Sequence, residues 1–510
     1  MKIENSEPAR ERKRKLAGLA ALLLAAGFAA LQVSSWPGRL SYPGEGAGIE
    51  GIPMAEMQHL REGIPIYAPA SAERFDASVY GPLYYLLGAR LIDPDQPAYG
   101  PLRILGALAT LGCAAASGCL AFALGRRALA AVLAPLVVLS YGFVSFYGTS
   151  SRADSPALCL SMAGILTAYR FRTSRKIMLA APIFLAALFY KQQFVAAPLA
   201  VFAYLMVTRR YRTASIFAGL MVAGGLGFLA LFQFVIFPGQ AFFTHFCFYN
   251  FLPFSGTQFK GGVIVFAVLF LVPLLVGLEF VRARRDAFLA CYLPTAAGVA
   301  LLAVGREGSD TNYFLESILI LATLYAALLA ERIDDPARAV ELLALLAVSL
   351  LAGQLFTPSL PRPDDFARDQ ALQDYLRKNF PPRTRALGYY TGDLVRAGLS
   401  TPVSNLFQYV QLIGTGALAD RDLAESLEKR EFGVIILTFD LEAGIDERCL
   451  KNYLTSRLAT AIKDNYQPHA SLDLPGPEKF HSTDRFYAWV PRARAPTGDQ
   501  AGPRVLPPGR

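Results

Sequence analysis

The chain is 510 residues long, 54% hydrophobic, 17% charged, and carries a formal charge of +9. Apolar stretches of about 20 residues recur, the length that crosses hydrocarbon as helix, which excludes an ordinary soluble enzyme and indicates a polytopic membrane protein. The basic residues fall between these stretches, where membrane orientation accounts for them, so nucleic acid is not an expected partner.

Residues 1–15 are polar and basic and end in RERKRK, and 16–33 form the first apolar stretch. No small-x-small cleavage site follows, so this is read as an uncleaved helix behind a cytoplasmic N-terminus. Further stretches lie at 101–125, 128–148, 155–169, 177–190, 193–208, 214–237, 261–281, 288–304, 313–330 and 339–356. That gives about 11 transmembrane helices. Loops on the N-terminal side hold Arg126-Arg127, RFRTSRK (170–176), RRYR (209–212) and RARR (282–285). Opposite loops hold isolated cations such as Arg61, Arg152, Lys191 and Lys260. The positive-inside rule then places the C-terminal region outside.

Between the first two stretches lies a long polar loop, 36–100, too polar to span and too long for a connector. It carries Glu45, Glu50, Glu56, Glu62, Glu73 and Asp76 and ends in YGPLYYLL. Glu45 and Glu50 have glycine neighbours, which let backbone approach a ligand closely. Glu56 and Glu62 fall in MAEMQHLREG, which reads as a surface helix with its acids in water. A plain solvated loop is the competing reading.

After residue 356 a Pro-rich exit, TPSLPRPDD, leads into soluble sequence. QALQDYLRKNF and LAESLEKREF read as helices; RALGYY, FGVIILTFD and RFYAWVP read as strands. The expected organisation is a membrane domain (1–357), a small α/β domain (358–492) and a Pro/Gly/Arg-rich disordered tail (493–510). The six cysteines and four histidines show no disulfide or metal spacing, and no GxGxxG, Walker A or HExxH motif occurs.

Four more segments put polar groups beside apolar helices, which is costly without a partner or a task. In SSRADSP, Asp154 precedes a proline and could simply cap a helix, with Arg152 beside it. In YKQQ, Lys191 either snorkels to the interface or binds an anion, and Gln192 follows it. In REGSDTNYFLE (306–316), Arg306, Asn312 and Tyr313 precede Glu316, which sits one turn inside an apolar helix. The segment from His245 to Asn250 fits an interfacial aromatic belt.

The large first outside loop, the basic-loop alternation and the soluble C-terminal domain resemble the GT-C superfamily of integral-membrane glycosyltransferases, most closely bacterial family-39-type or RgtA/B/C/D-like enzymes. The resemblance spans 10–356 and rests on Glu50-Gly51 with EGIPIY and YGPLYYLL, Arg152-Ala153-Asp154, Lys191-Gln192 and GSDTNYFLE. It implies inverting transfer of a sugar from a polyprenyl-phosphate donor to a glycan, lipid or protein acceptor at the outer face of the bacterial cytoplasmic membrane. It also implies Glu50 as general base, with Asp154 as a second carboxylate. Arg152, Lys191 and Arg306 would stabilise the leaving phosphate; Glu45, Gln192, Asn312, Tyr313 and Glu316 would complete the substrate site. The isoprenoid tail would lie between helices among membrane lipids. Many relatives carry an Asp-Glu pair where this chain has Ile49-Glu50, so Glu45 stays open as the base. The resemblance leaves room for a divalent cation and assigns no ligand to one.

Two other readings compete. A flippase for lipid-linked sugars wants charged groups at mid-helix, and few are present. A non-catalytic envelope scaffold gives the marked residues no reason to meet; separations beyond about 15 Å would favour it, since reacting groups work at contact distance.

Overall fold

The structure is a computed structural model that describes residues 7–46, 49–71, 74–93, 95–355, 357, 359–443, 453–473 and 485–493. Glu73, Cys449 and 494–510 of the expected tail lie outside the described residues.

Apolar residues without interrupting charge make the long helices, and glycine, proline and capping residues end them. α1 (Glu7–Val33) is followed by the short α2 (Trp36–Ser41), then by α3 (Gly51–Arg61) and α4 (Pro82–Leu91) in the first loop. α5 (Gly100–Gly125) has Pro101 in its first turn and stops where Arg126 turns left-handed, φ 54°. α6 (Ala128–Leu139) and α7 (Gly142–Gly148) are bent by 75°, so the stretch 128–148 is a broken helix pair rather than one straight span. α8 (Asp154–Arg170), α9 (Ala180–Tyr190) and α10 (Ala196–Val207) follow, then α11 (Tyr211–Ala230), α12 (Gly256–Arg284), α13 (Ala287–Val304), α14 (Leu315–Arg332) and α15 (Pro336–Gln354).

Among the described residues each apolar stretch read from the sequence falls largely on helix. Among the described residues seven helical segments are long and apolar enough to cross a membrane, and eight if the bent pair counts. α8, α9 and α10 have 17, 11 and 12 residues. At the helical rise they reach only about 16 to 26 Å, short of the roughly 30 Å hydrocarbon core. α9 stops at Lys191, and a polar break precedes α10. The segment containing α14 is 94% buried over its apolar window and sits at the centre; that of α11 is 11% buried and lies at the rim.

Beyond α15 the chain builds a four-stranded sheet, ordered β1-β2-β4-β3. β1 (Ala386–Gly388) runs parallel to β2 (Val434–Leu437); β3 (Tyr466–Asp473) and β4 (Arg485–Pro491) complete it antiparallel. α16 (Pro363–Asn379), α17 (Thr391–Arg396), α18 (Leu406–Gly414), α19 (Arg421–Glu428) and α20 (Ser456–Asn465) surround the sheet. β3 has no counterpart in the sequence reading. It is an edge strand with Pro468 inside it and an exposed face, so it lacks the alternation that marks a strand.

The first loop belongs to this C-terminal layer. Phe75 N–H donates to Pro402 O (2.7 Å), Ser404 N–H donates to Phe75 O (2.9 Å), and Phe75 is buried with Leu387, Tyr409 and Trp489. Gly51 abuts Gly392 so closely that a Cβ on either would strike the other's backbone. Glu56 corrects the surface-helix reading: it is fully buried, accepting from Ser78 N (2.7 Å) and Ser404 Oγ (3.0 Å). Burial, then the nearby Asp76 carboxylate, pushes it up to about 8. Glu62 is exposed, as expected.

Candidate active site

Three polar helix boundaries converge where the first loop, the membrane helices and the C-terminal layer meet. Between them lies a cavity of about 880 Å³. Asp154, the first residue of α8, is fully buried and holds the wall together. Its Oδ1 accepts from Lys191 Nζ (2.5 Å) and Asn312 Nδ2 (2.6 Å), and its Oδ2 from Arg152 Nε (3.1 Å). One carboxylate therefore serves two cations, and the cluster keeps a net positive charge. Arg152 stacks on Tyr147 (5.0 Å to the centroid) and Lys191 on Tyr80 (5.1 Å).

Lys191 caps α9 outside the helices and is buried. Burial pushes its ammonium down to about 8 against the pull of Asp154, and Arg152 adds to the downward push. Arg306 brings a third cation, tied to Asn250 O (2.8 Å) and Tyr313 Oη (2.6 Å) and without a carboxylate partner among the described residues. Asp310 lines the same cavity, accepting from Tyr147 Oη (2.6 Å) and capping the next turn through Thr311 N (2.6 Å).

Several polar atoms here are buried without a protein partner: Tyr80 Oη, Gln192 Nε2, Arg306 Nε, Ser309 Oγ and Asn312 Oδ1. Leaving such atoms unmatched costs about 1–3 kcal/mol each, so their gathering on one wall marks a place built for a polar ligand. The cavity also has an apolar side, formed by residues such as Val195, Phe246 and Val299, and reaches Phe251, which is 77% exposed.

Of the expected site residues, Arg152, Lys191, Gln192, Arg306, Asn312 and Tyr313 line the cavity, with Asp154 directly behind three of them. Glu50, Glu45 and Glu316 do not line it. Glu50 lies apart from this lining. Its carboxylate is fully buried and accepts from Arg103 Nε (3.0 Å) and Nη2 (2.6 Å), Gly46 N (2.7 Å), Ser151 N (2.5 Å) and Ser151 Oγ (3.0 Å). Burial alone would raise it, but Arg103 and these donors outweigh burial, and the carboxyl lies below its ordinary value. Enclosed in this way, the carboxylate is engaged by protein donors. Glu45 faces α17 instead, where burial and then Asp393 push it well above the usual range. Glu316 accepts from Tyr292 Oη (3.0 Å) inside the bundle.

Arg103 has no place in the sequence reading; a lone arginine two residues inside an apolar stretch is the signal that marks it. Among the described residues no three His, Cys, Asp or Glu side chains are placed to share a metal ion.

No family model and no curated protein sequence matches the chain. Solved structures do. ArnT from Cupriavidus metallidurans, in the apo state, superposes with a TM-score of 0.55 at 12% identity, over 91% of this chain and 97% of that one. The same protein bound to undecaprenyl phosphate gives 0.54 at 12%, over 92% and 98%. The chain has the GT-C fold. An oligosaccharyltransferase from Archaeoglobus fulgidus, tethered to an acceptor peptide, gives 0.53 at 12%, over 93% of this chain and 74% of that one. The GT-C likeness covers the C-terminal layer as well as the helices, since the aligned share exceeds nine-tenths.

Proposed function

We propose that this GT-C chain is a membrane glycosyltransferase that takes a sugar from a polyprenyl-phosphate donor. The observation that carries the reading is the shared Asp154: Arg152 and Lys191 on one carboxylate, with Arg306 on the same cavity and without a carboxylate partner among the described residues. At contact distance these cations share one carboxylate, and a lipid phosphate would give them a second anionic partner. The ArnT relative bound to undecaprenyl phosphate supports the same ligand class. The apolar side of the cavity suits the isoprenoid chain.

The proposed reaction is a single displacement. The acceptor oxygen attacks the anomeric carbon, the bond to the phosphate oxygen breaks, and configuration inverts. The departing lipid phosphate keeps the bonding pair and is stabilised by Lys191, Arg152 and Arg306. The acceptor proton passes to a carboxylate, and we assign that role to Asp310, an exposed acid on the cavity wall held by Tyr147. Asp154 positions the cations. The acceptor is a glycan, lipid or protein hydroxyl at the outer face of the bacterial cytoplasmic membrane.

Asp310→Asn tests the base. Asparagine caps the following turn as well as aspartate does but cannot take the proton, so kcat should fall by about a hundred- to ten-thousand-fold while polyprenyl-phosphate binding persists. Unchanged kcat would remove Asp310 from the reaction. Orientation is tested by reporter fusions after residues 130, 175 and 400. The first two should report cytoplasm and the third the outside; a cytoplasmic signal at 400 would overturn the outer-face assignment.

A further inference from the structure

The cavity divides sharply by charge. Every charged side chain on its wall comes from the membrane half or its loops: Arg152, Lys191, Arg306, Glu307 and Asp310. The C-terminal layer contributes Tyr389, Asn405, Phe407, Gln408 and Tyr453, and among the described residues none is charged. Tyr389 follows the last residue of β1, so this roof lies at the carboxyl end of the parallel β1–β2 pair, the edge at which open α/β sheets hold ligands.

The roof is also preset. Asn405 Oδ1 accepts from Gln408 N (2.9 Å) at the start of α18, and Gln408 Nε2 donates to Tyr249 O. These bonds fix both amides and leave Asn405 Nδ2 as donor and Gln408 Oε1 as acceptor, neither with a protein partner among the described residues. Tyr389 and Tyr453 meet edge to face at 4.9 Å and line the same cavity as those amides.

We infer that this roof is a sugar-binding wall selective for an uncharged pyranose. A neutral sugar offers a C–H-rich face to an aromatic ring's negative face and adjacent hydroxyls that both donate and accept, matching Asn405 Nδ2 and Gln408 Oε1. Among the described residues of the roof an anionic or cationic sugar would find no counter-charge to repay its desolvation. The inference deepens the proposed function: it names the class of sugar while the phosphate stays on the opposite wall.

The test uses the full chain in lipid nanodiscs and saturation-transfer NMR. The probes are methyl glucoside, galactoside and mannoside, against methyl glucuronide and methyl glucosaminide. At least one neutral glycoside should receive saturation on its ring protons, and the two charged probes should receive less. Tyr453→Ala and Gln408→Glu should each weaken that binding by about tenfold, and Tyr453→Phe should retain it. Gln408→Glu keeps the side chain's size, so its result does not depend on the alanine variant folding. Glu62→Gln, at the exposed end of α3, should leave glycoside binding unchanged. Failure of all neutral probes, preference for a charged one, or full binding in Gln408→Glu would overturn the inference. Undecaprenyl phosphate, titrated separately, reports on the phosphate wall, so loss of the donor reading and loss of the sugar wall give different results.

Discussion

Glu50→Gln should lower the melting temperature of the protein before it reveals anything about turnover. The carboxylate is enclosed by Arg103, Gly46 and Ser151. Arg103 in turn donates to Arg39 O (3.1 Å), Tyr42 O (2.5 Å) and Gly44 O (2.7 Å), so a single ion pair ties α5 to the exit of α1 and the start of the first loop. Removing one member of a buried pair leaves the other charge uncompensated, at a cost of about 3–5 kcal/mol. Glutamine keeps the shape and loses the charge, so the cost falls on Arg103. Because Glu50 is held below its ordinary value of 4.5, the pair's contribution is present above that pH and disappears as pH falls through the lower folded value. Thermal unfolding in detergent, from neutral to acid pH, measures both. A Glu50→Gln variant with wild-type melting and a turnover loss of about a hundredfold or more would restore Glu50 as the proton acceptor.

The enclosure of Glu50 illustrates how far local sequence reaches. Glu50 is conspicuous as an acid beside a glycine in the long first loop, which is the signature of a special role but not of which role. Its partner lies 53 residues away, inside the next apolar stretch. Pairing over that distance depends on how α5 packs beside the loop, which periodicity does not encode. The cations were easier. Lys191 interrupts two short apolar runs and Arg152 sits at a span boundary, so the cost of placing charge there was visible without a structure. That both share Asp154, which local sequence explains adequately as a helix cap, needed three segments in space. The roof was hardest, because tyrosines and amides in a soluble domain are ordinary until they face a cavity made by another part of the chain.

Lys191→Ala should weaken binding of a polyprenyl-phosphate donor while leaving the fold nearly intact, whereas Asp154→Asn should destabilise the fold. Lys191 Nζ has one carboxylate partner, and without it Asp154 still accepts from Arg152 and Asn312. The alanine variant therefore strands no buried charge. It removes one charge-assisted hydrogen bond to the phosphate, about 1.5–3 kcal/mol, or roughly ten- to more than a hundred-fold in donor affinity. Lys191→Arg should recover part of this, since the guanidinium keeps the charge but not the compact geometry. Asp154→Asn instead leaves Arg152 and Lys191 facing each other without a counter-charge, and melting should fall. The pH dependence separates binding from stability. With the ammonium pushed down to about 8, donor binding should decline as pH rises through that value. Between about 8 and the ordinary lysine value of 10.5 the unfolded chain holds this proton and the folded chain does not, so the same group favours folding as pH rises. Isothermal titration with undecaprenyl phosphate from pH 6.5 to 9.5 follows binding, and melting over the same range follows stability. Donor affinity that is flat across this range in the wild type and unchanged in Lys191→Ala would take Lys191 out of the phosphate site.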